Sequence, residues 1–152
     1  MKKKKVWTCV ISVVAVIIIC PLLLQLVPYG RNHTNPPVVS EPKWDSPQTR
    51  ALAVRACFDC HSNETKWPWY TNIAPVSWLT QSDVDGGRRR LNFSDWGAAT
   101  RGEGHSASEI VRTIQRGSMP PWFYLPPHPT ANLTPAEKAQ LIQGLTTTLS
   151  TP

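Results

Sequence analysis

The chain has 152 residues, 41% of them hydrophobic, which allows one small domain and an additional segment. Its formal net charge of +6 overstates the charge of the domain, because four lysines stand within the first five residues. The remainder carries 12 Lys+Arg against 10 Asp+Glu, a net charge of +2, so the composition does not indicate a nucleic-acid partner.

The first predicted element is a membrane-spanning helix. Residues 6–27 are almost wholly apolar and uncharged, and 22 residues of helix extend roughly 33 Å, enough to cross a bilayer. A cleavable signal peptide has a shorter apolar stretch and a small-x-small site, which residues 22–27 lack. An uncleaved anchor over residues 6–28 is therefore favoured over cleavage or lipidation. The basic tip, residues 1–5, places the rest of the chain on the periplasmic or extracytoplasmic side.

A proline-rich tether, residues 29–45, is predicted to follow the anchor. Five prolines between Pro28 and Pro47 favour an extended, partly stiff chain over helix or sheet. The favoured interpretation is a solvated spacer. The alternative is that residues 36–39 and Trp44 wrap onto the domain.

Residues 46–152 predict an all-α domain, because no alternating β pattern occurs. Ser46 is an N-cap with proline at the first helical position, and it begins a helix that continues into Cys57. A second helix is predicted from Val76 to Leu91, although Gly86-Gly87 weakens its second half.

Two further helices begin at capping boxes. Residues 106–109, Ser-Ala-Ser-Glu, begin a helix that stops at Gly117, a natural left-handed cap. Residues 134–137, Thr-Pro-Ala-Glu, begin the last helix. That helix places four apolar side chains on one face: Leu141, Ile142, Leu145 and Leu149.

The motif Cys57-Phe58-Asp59-Cys60-His61 is the attachment signature for a c-type haem. Two thiols at this spacing reach the two vinyl groups on one edge of a porphyrin, and the following imidazole can bind the iron. A thioredoxin-like pair would need a βαβ context, and a zinc site would need further ligands nearby. Cys57 and Cys60 are therefore predicted to hold one covalent haem c, with His61 as the proximal iron ligand.

Met119 is the predicted sixth ligand of the iron. It is the only methionine besides Met1, and it stands between the helix stop at Gly117 and two prolines. A thioether favours ferrous iron and raises the reduction potential. His105, His128 and water are the alternatives.

Aromatic residues are abundant after the anchor, with six of the seven tryptophans, and they suit packing around a flat apolar ligand. The predicted haem-pocket lining is Trp67, Trp69, Tyr70, Trp78, Pro120 and Trp122. A small hydrophobic cluster is the alternative for the first three. The basic run Arg88, Arg89 and Arg90 is interpreted as a solvated face, with docking of a haem propionate or an acidic partner as the alternative.

These residues carry a family resemblance. The sequence Gly117-Ser118-Met119-Pro120-Pro121 after a CxxCH helix is similar to the methionine loop of class I c-type cytochromes. More narrowly, the chain resembles the small membrane-anchored haem-binding-domain proteins of bacteria. The similar stretches run from the tether to the methionine loop: residues 34–38, 57–65, 67–70, 73–78, 91–94 and 119–121. The resemblance implies covalent haem c and a cytochrome c-like helical fold, without a particular electron partner.

The predicted function is electron transfer by a single haem cycling between Fe(II) and Fe(III) with His/Met ligation, rather than enzymatic catalysis. The expected partners are the membrane and an unidentified redox protein; no oligomeric state is predicted. One alternative is a haem protein with an open or exchangeable sixth site, such as a peroxidase-like enzyme or a gas or redox sensor. Another is a module in which haem only stabilises the fold.

Overall fold

All regular secondary structure in the described residues, 2–99 and 107–150 of the computed structural model, is helical. The helices are α1 (Lys2–Leu24), α2 (Pro47–Ala56), α3 (Phe58–His61), α4 (Val76–Arg90), α5 (Trp96–Ala99), α6 (Ala107–Gln115) and α7 (Pro135–Ser150), with 3-10 turns at Trp69–Asn72 and Pro129–Ala131. No strand occurs in this part of the chain, where Ser40 and Asp95 form an isolated bridge. The predicted all-α class is confirmed.

Helix ends follow the predicted capping signals. The Ser46 hydroxyl accepts a hydrogen bond from the Thr49 backbone N–H at 3.2 Å and so caps α2. Thr134 and Glu137 cap each other's backbone N–H groups at the start of α7, at 3.2 and 2.8 Å. Gly117 ends α6 with a φ of +69°, as predicted. The capping box predicted at residues 106–109 begins outside the described residues.

The helix before the cysteine motif runs into Cys57, as predicted, because the Cys57 N–H still donates to the Ala53 carbonyl at 2.8 Å. Its last helical residue is Ala56, and Cys57, with φ −128° and ψ −36°, separates α2 from α3. The break lets Phe58 turn into the core, where it is 3% exposed and stacks on Phe93 at 5.6 Å. Burial of this aromatic ring outweighs the continuation of one helix, which the local sequence alone favours.

The described structure divides into two compact units. The first comprises Met1–His33 and Trp67–Ser82, and the second comprises Thr34–Lys66 and Asp83–Pro152. In the first unit, Lys3–Leu24 has a mean hydropathy of 2.7 and is long and apolar enough to cross a membrane. Just after α1, the Gln25 side-chain amide donates to the Ala74 carbonyl and accepts from the Ala74 N–H. These bonds join the end of the helix to the segment Trp67–Ser82 of the same unit.

The second unit has a hydrophobic core formed by α2, α3, α6 and α7 with the segment around Phe93. Its buried members are Leu52, Ala53, Ala56, Phe58, Phe93, Ile114, Leu133, Leu141 and Leu145. The predicted apolar face of α7 is confirmed, because Leu141 and Leu145 are buried and Ile142 and Leu149 pack against the same cluster.

The tether is attached to the second unit from Thr34 onward. The Asn35 amide donates to the Thr65 carbonyl at 2.9 Å, and the Val39 N–H donates to the Ser94 carbonyl at 2.8 Å. The Trp44 ring packs 5.2 Å from the ring of Phe93. Of the two interpretations of this segment, the structure therefore favours the one in which it wraps onto the domain over the solvated spacer.

Candidate functional site

One helical turn brings together the three residues of the motif that would bind haem, Cys57, Cys60 and His61. The His61 N–H donates to the Cys57 carbonyl at 2.9 Å, so His61 lies one turn after the first cysteine. Cys57 and Cys60 are both partly exposed and are not joined in a disulfide. Two thiols and an imidazole on one turn present the donor set that the sequence predicts for covalent haem.

Backbone carbonyls hold the imidazole of His61 in one orientation. Its Nδ1 lies 3.1 Å from the carbonyl oxygens of both Gly87 and Leu91, at the end of α4. A carbonyl oxygen only accepts, so Nδ1 carries the proton, and the neutral ring has its lone pair on Nε2. Hydrogen bonding of this kind orients an imidazole and raises its basicity as a metal ligand.

Close packing of α4 against the motif depends on Gly87. A Cβ atom built at this position would collide with the backbone carbonyl of Cys60, whereas one at Gly86 would meet only the Arg89 guanidinium, at 3.8 Å. From the sequence, both glycines are predicted only to weaken the helix. One of them in fact lets the helix backbone approach the cysteine turn, which then places the Gly87 carbonyl at the His61 ring.

Burial raises the pKa of both thiols, to about 12 for Cys57 and about 12 for Cys60; for Cys60 the Asp83 and Asp59 carboxylates add to the effect. Reactive cysteine pairs in disulfide oxidoreductases have lowered thiol pKa values. The surroundings of this pair are therefore unlike those of a redox-active dithiol.

A buried polar network, which no sequence motif predicts, fixes the residues after His61. The Asn92 side-chain amide donates to the Asn63 side-chain carbonyl at 2.9 Å, and the Ser94 N–H donates to the Asn92 side-chain oxygen at 2.9 Å. The Asn63 N–H in turn donates to the Ser94 hydroxyl at 3.0 Å. The only sequence signal for this network was that both stretches, 57–65 and 91–94, carry the family resemblance.

Arg88 extends this support, and the prediction of a solvated arginine face is wrong for it. Its guanidinium donates to the carbonyls of Ser62 and Thr34, at 2.8 and 2.9 Å. It also donates to the side-chain oxygens of Asn35 and Thr65, at 2.9 and 2.8 Å. Arg89 and Arg90 are exposed. Arg88 thus fastens the tether to the segment that follows the cysteine motif.

The loop that contains Met119 is attached to the cysteine motif through Asp59. The Tyr124 hydroxyl donates to a carboxylate oxygen of Asp59 at 2.6 Å. The His128 ring stacks on Tyr124 at 4.0 Å, and its Nδ1 lies 3.8 Å from the same oxygen. Met119 is partly buried, five residues before Tyr124. His105 lies outside the described residues, so the choice of Met119 over His105, His128 and water stays a prediction.

The predicted haem-lining residues fall in different units. Trp67, Trp69, Tyr70 and Trp78 belong to the first unit, where Trp67 stacks on His33 at 4.7 Å and Trp69 is 76% exposed. Pro120 and Trp122 belong to the second unit, and Trp122 is 80% exposed. Their roles as pocket lining stay predictions.

The donor set fits haem better than a metal ion bound by side chains alone. Within residues 2–99 and 107–150, no three His, Cys, Asp or Glu side chains form a group that could hold a metal ion. Covalent haem needs only the two thiols and one imidazole from this turn, and all three are present with the ring orientation fixed.

Comparison with known proteins gives one match. The family model described as "Haem-binding domain" matches residues 19–147, which is most of the chain. No curated protein and no solved structure gave a significant match.

Proposed function

The chain belongs to the haem-binding-domain family, and from this premise we propose that it is a membrane-tethered c-type cytochrome that carries single electrons. The observation that supports this most strongly is the His61 ring held by two backbone carbonyls on the same turn as Cys57 and Cys60. Family membership makes the chain a haem protein. The covalent attachment, the axial ligands and the electron-carrier role are the proposal.

Cys57 and Cys60 are the residues proposed to hold one haem c through thioether bonds. Each thiol would hold the haem by adding its S–H across one vinyl group, with the sulfur on the vinyl carbon next to the ring and the hydrogen on the terminal carbon. Neither cysteine is joined in a disulfide, so both sulfurs are available for this addition.

His61 is proposed as the proximal ligand through Nε2. The hydrogen bonds from Nδ1 to Gly87 and Leu91 keep the tautomer fixed and the ring oriented, so little side-chain entropy is lost on ligation. Bound haem would supply a one-electron change between Fe(II) and Fe(III).

Met119 is proposed as the sixth ligand. Its loop is attached to the motif by the Tyr124–Asp59 hydrogen bond, and it supplies the one thioether among the described residues. A weak soft donor at this position favours ferrous iron and leaves no exchangeable site for small molecules. This separates the proposal from a peroxidase-like enzyme or a gas sensor, which needs an open sixth site.

The proposed location is the cytoplasmic membrane, with α1 as a single-pass anchor and the haem domain on the periplasmic side. The length and hydropathy of Lys3–Leu24 support the span, and the lysines before it support the orientation. Haem c would then be attached in the compartment that the domain enters.

One experiment tests ligation and attachment together. In the purified full chain, the ferric spectrum should show the weak far-red band of methionine ligation, and a denaturing gel should retain haem staining. Met119→Ala should lose the band but keep the stain, whereas Cys57→Ala/Cys60→Ala should lose the stain. A band that is absent from the wild type, or that persists in Met119→Ala, contradicts methionine ligation and favours the open-site alternative.

A further inference from the structure

The segment Trp67–Ser82 contains no Asp, Glu, Lys or Arg, although 17% of the whole chain is charged. Residues 117–136 are also uncharged, so the lack of charge alone does not identify a partner. What distinguishes Trp67–Ser82 is its place in the structure. It forms one compact unit with α1, the helix that is long and apolar enough to cross a membrane.

Specific contacts fix this segment to the chain that leaves α1. The Gln25 amide donates to the Ala74 carbonyl at 2.9 Å and accepts from the Ala74 N–H at 3.0 Å. The buried Ser77 hydroxyl donates to the Tyr29 carbonyl at 3.3 Å. Gly30, with a φ of +78°, passes so close to Ser77 that a Cβ atom would collide with its carbonyl. The segment is therefore held directly beyond the last turn of the helix.

Large apolar side chains of this segment are exposed together. Trp69 is 76% and Leu79 is 53% exposed, and Ile73 and Val76 are 44% and 41% exposed. Val76 and Leu79 stand three residues apart on α4 and so lie on one face of the helix. Several exposed large apolar side chains within one short uncharged segment are typical of an interaction site.

We propose that this apolar surface, formed by Trp69, Ile73, Val76 and Leu79, lies in the interfacial layer of the membrane that α1 crosses. Its position at the end of the anchor puts it at the depth of the lipid headgroups. The absence of charge removes the cost of desolvating ions there, and tryptophan is enriched at such interfaces. The proposal rests on the proposed membrane anchoring and gives Trp69 a different role from the haem lining expected from the sequence.

Photolabelling of the haem-loaded full chain tests this proposal. The protein is placed in vesicles of phosphatidylethanolamine and phosphatidylglycerol that contain a lipid with a diazirine just below its headgroup, and labelled peptides are identified by mass spectrometry. Peptides covering residues 69–79 should be labelled at least about tenfold above the level in an identical sample that is kept in the dark.

Leu79→Glu provides a variant that retains the fold, because this side chain is exposed in the protein itself. It should reduce the labelling of residues 69–79 several-fold and leave the haem spectrum unchanged. Labelling of α1 without labelling of residues 69–79 would overturn the proposal, although the membrane anchor would still be supported. That result is expected if the apolar surface binds another protein instead of lipid. If α1 itself is unlabelled, the anchoring fails and the proposal fails with it.

Discussion

The geometry of the cysteine motif depends directly on Gly87, which has no Cβ atom. Because a Cβ atom would collide with the Cys60 carbonyl, Gly87→Ala should push α4 away from the turn and lengthen the hydrogen bond from His61 Nδ1. We expect a loss of about 1–3 kcal/mol in the free energy of unfolding, typical of overpacking. Urea unfolding of the haem-loaded protein measures it, and a lower yield of covalent haem should accompany it.

The neighbouring Gly86 gives a matched control on the same helix. Its Cβ position is open, so Gly86→Ala should gain about 0.5–1 kcal/mol from helix propensity. If both substitutions stabilise the protein, the close approach of Gly87 to Cys60 does not govern this site. If both destabilise it equally, the effect belongs to the helix rather than to the motif.

At the scale of secondary structure, the sequence predicted the elements whose signals are local. Ser46, Gly117 and the Thr134–Glu137 capping box act on backbone groups within one turn, so each was identified correctly. The apolar face of α7 follows from helical spacing alone. The break at Cys57 between α2 and α3 was not predicted, because Phe58 is buried against Phe93, which lies far along the chain.

The site shows the same division between local and distant causes. The cysteine motif is contiguous, so its donor set could be read from the sequence. The parts that orient it come from elsewhere: the carbonyls of Gly87 and Leu91, and the guanidinium of Arg88. Nothing local distinguishes Arg88 from Arg89 and Arg90. Only tertiary packing makes one of them a structural donor and leaves the other two exposed.

The loop between α6 and α7 carries the proposed sixth ligand and is attached to the cysteine motif by the Tyr124–Asp59 hydrogen bond. Tyr124→Phe removes a hydrogen bond to the partly buried carboxylate of Asp59 and should cost about 1–2 kcal/mol. Met119 itself is unchanged, so its far-red band should persist in buffer. With increasing urea the band should disappear before the global unfolding transition, because the loop detaches first.

A double-mutant cycle with Asp59→Ala isolates this contact. The coupling energy between the two positions should be about 1–2 kcal/mol, whereas Tyr29→Phe, at an exposed tyrosine of the other unit, should change stability by less than about 0.5 kcal/mol. A coupling near zero, or a band that is lost only with global unfolding, would mean that Tyr124 does not hold the methionine loop.

Over the molecule as a whole, the contacts of residues 34–45 determine where the haem domain begins. The sequence placed its start at residue 46, after a tether. The contacts of the tether place a stabilising segment earlier: Arg88 binds the Thr34 carbonyl, Asn35 binds Thr65, and Trp44 packs on Phe93. Proline therefore keeps residues 34–45 extended along the rest of the second unit. In this conformation their backbone groups form hydrogen bonds with residues outside the tether instead of with one another.

Two shortened chains test this, one beginning at Thr34 and the other at Ser46, because they differ only in residues 34–45. The longer chain should be more stable by at least about 3 kcal/mol, since the shorter one loses a packed tryptophan and uncovers the Arg88 guanidinium. Chemical denaturation of both haem-loaded chains measures the difference, and Trp44→Ala in the longer chain should account for a large part of it. Equal stability would restore the solvated spacer and would require the hydrogen bonds from Asn35 to the buried Thr65 and from Val39 to the buried Ser94 to contribute nothing.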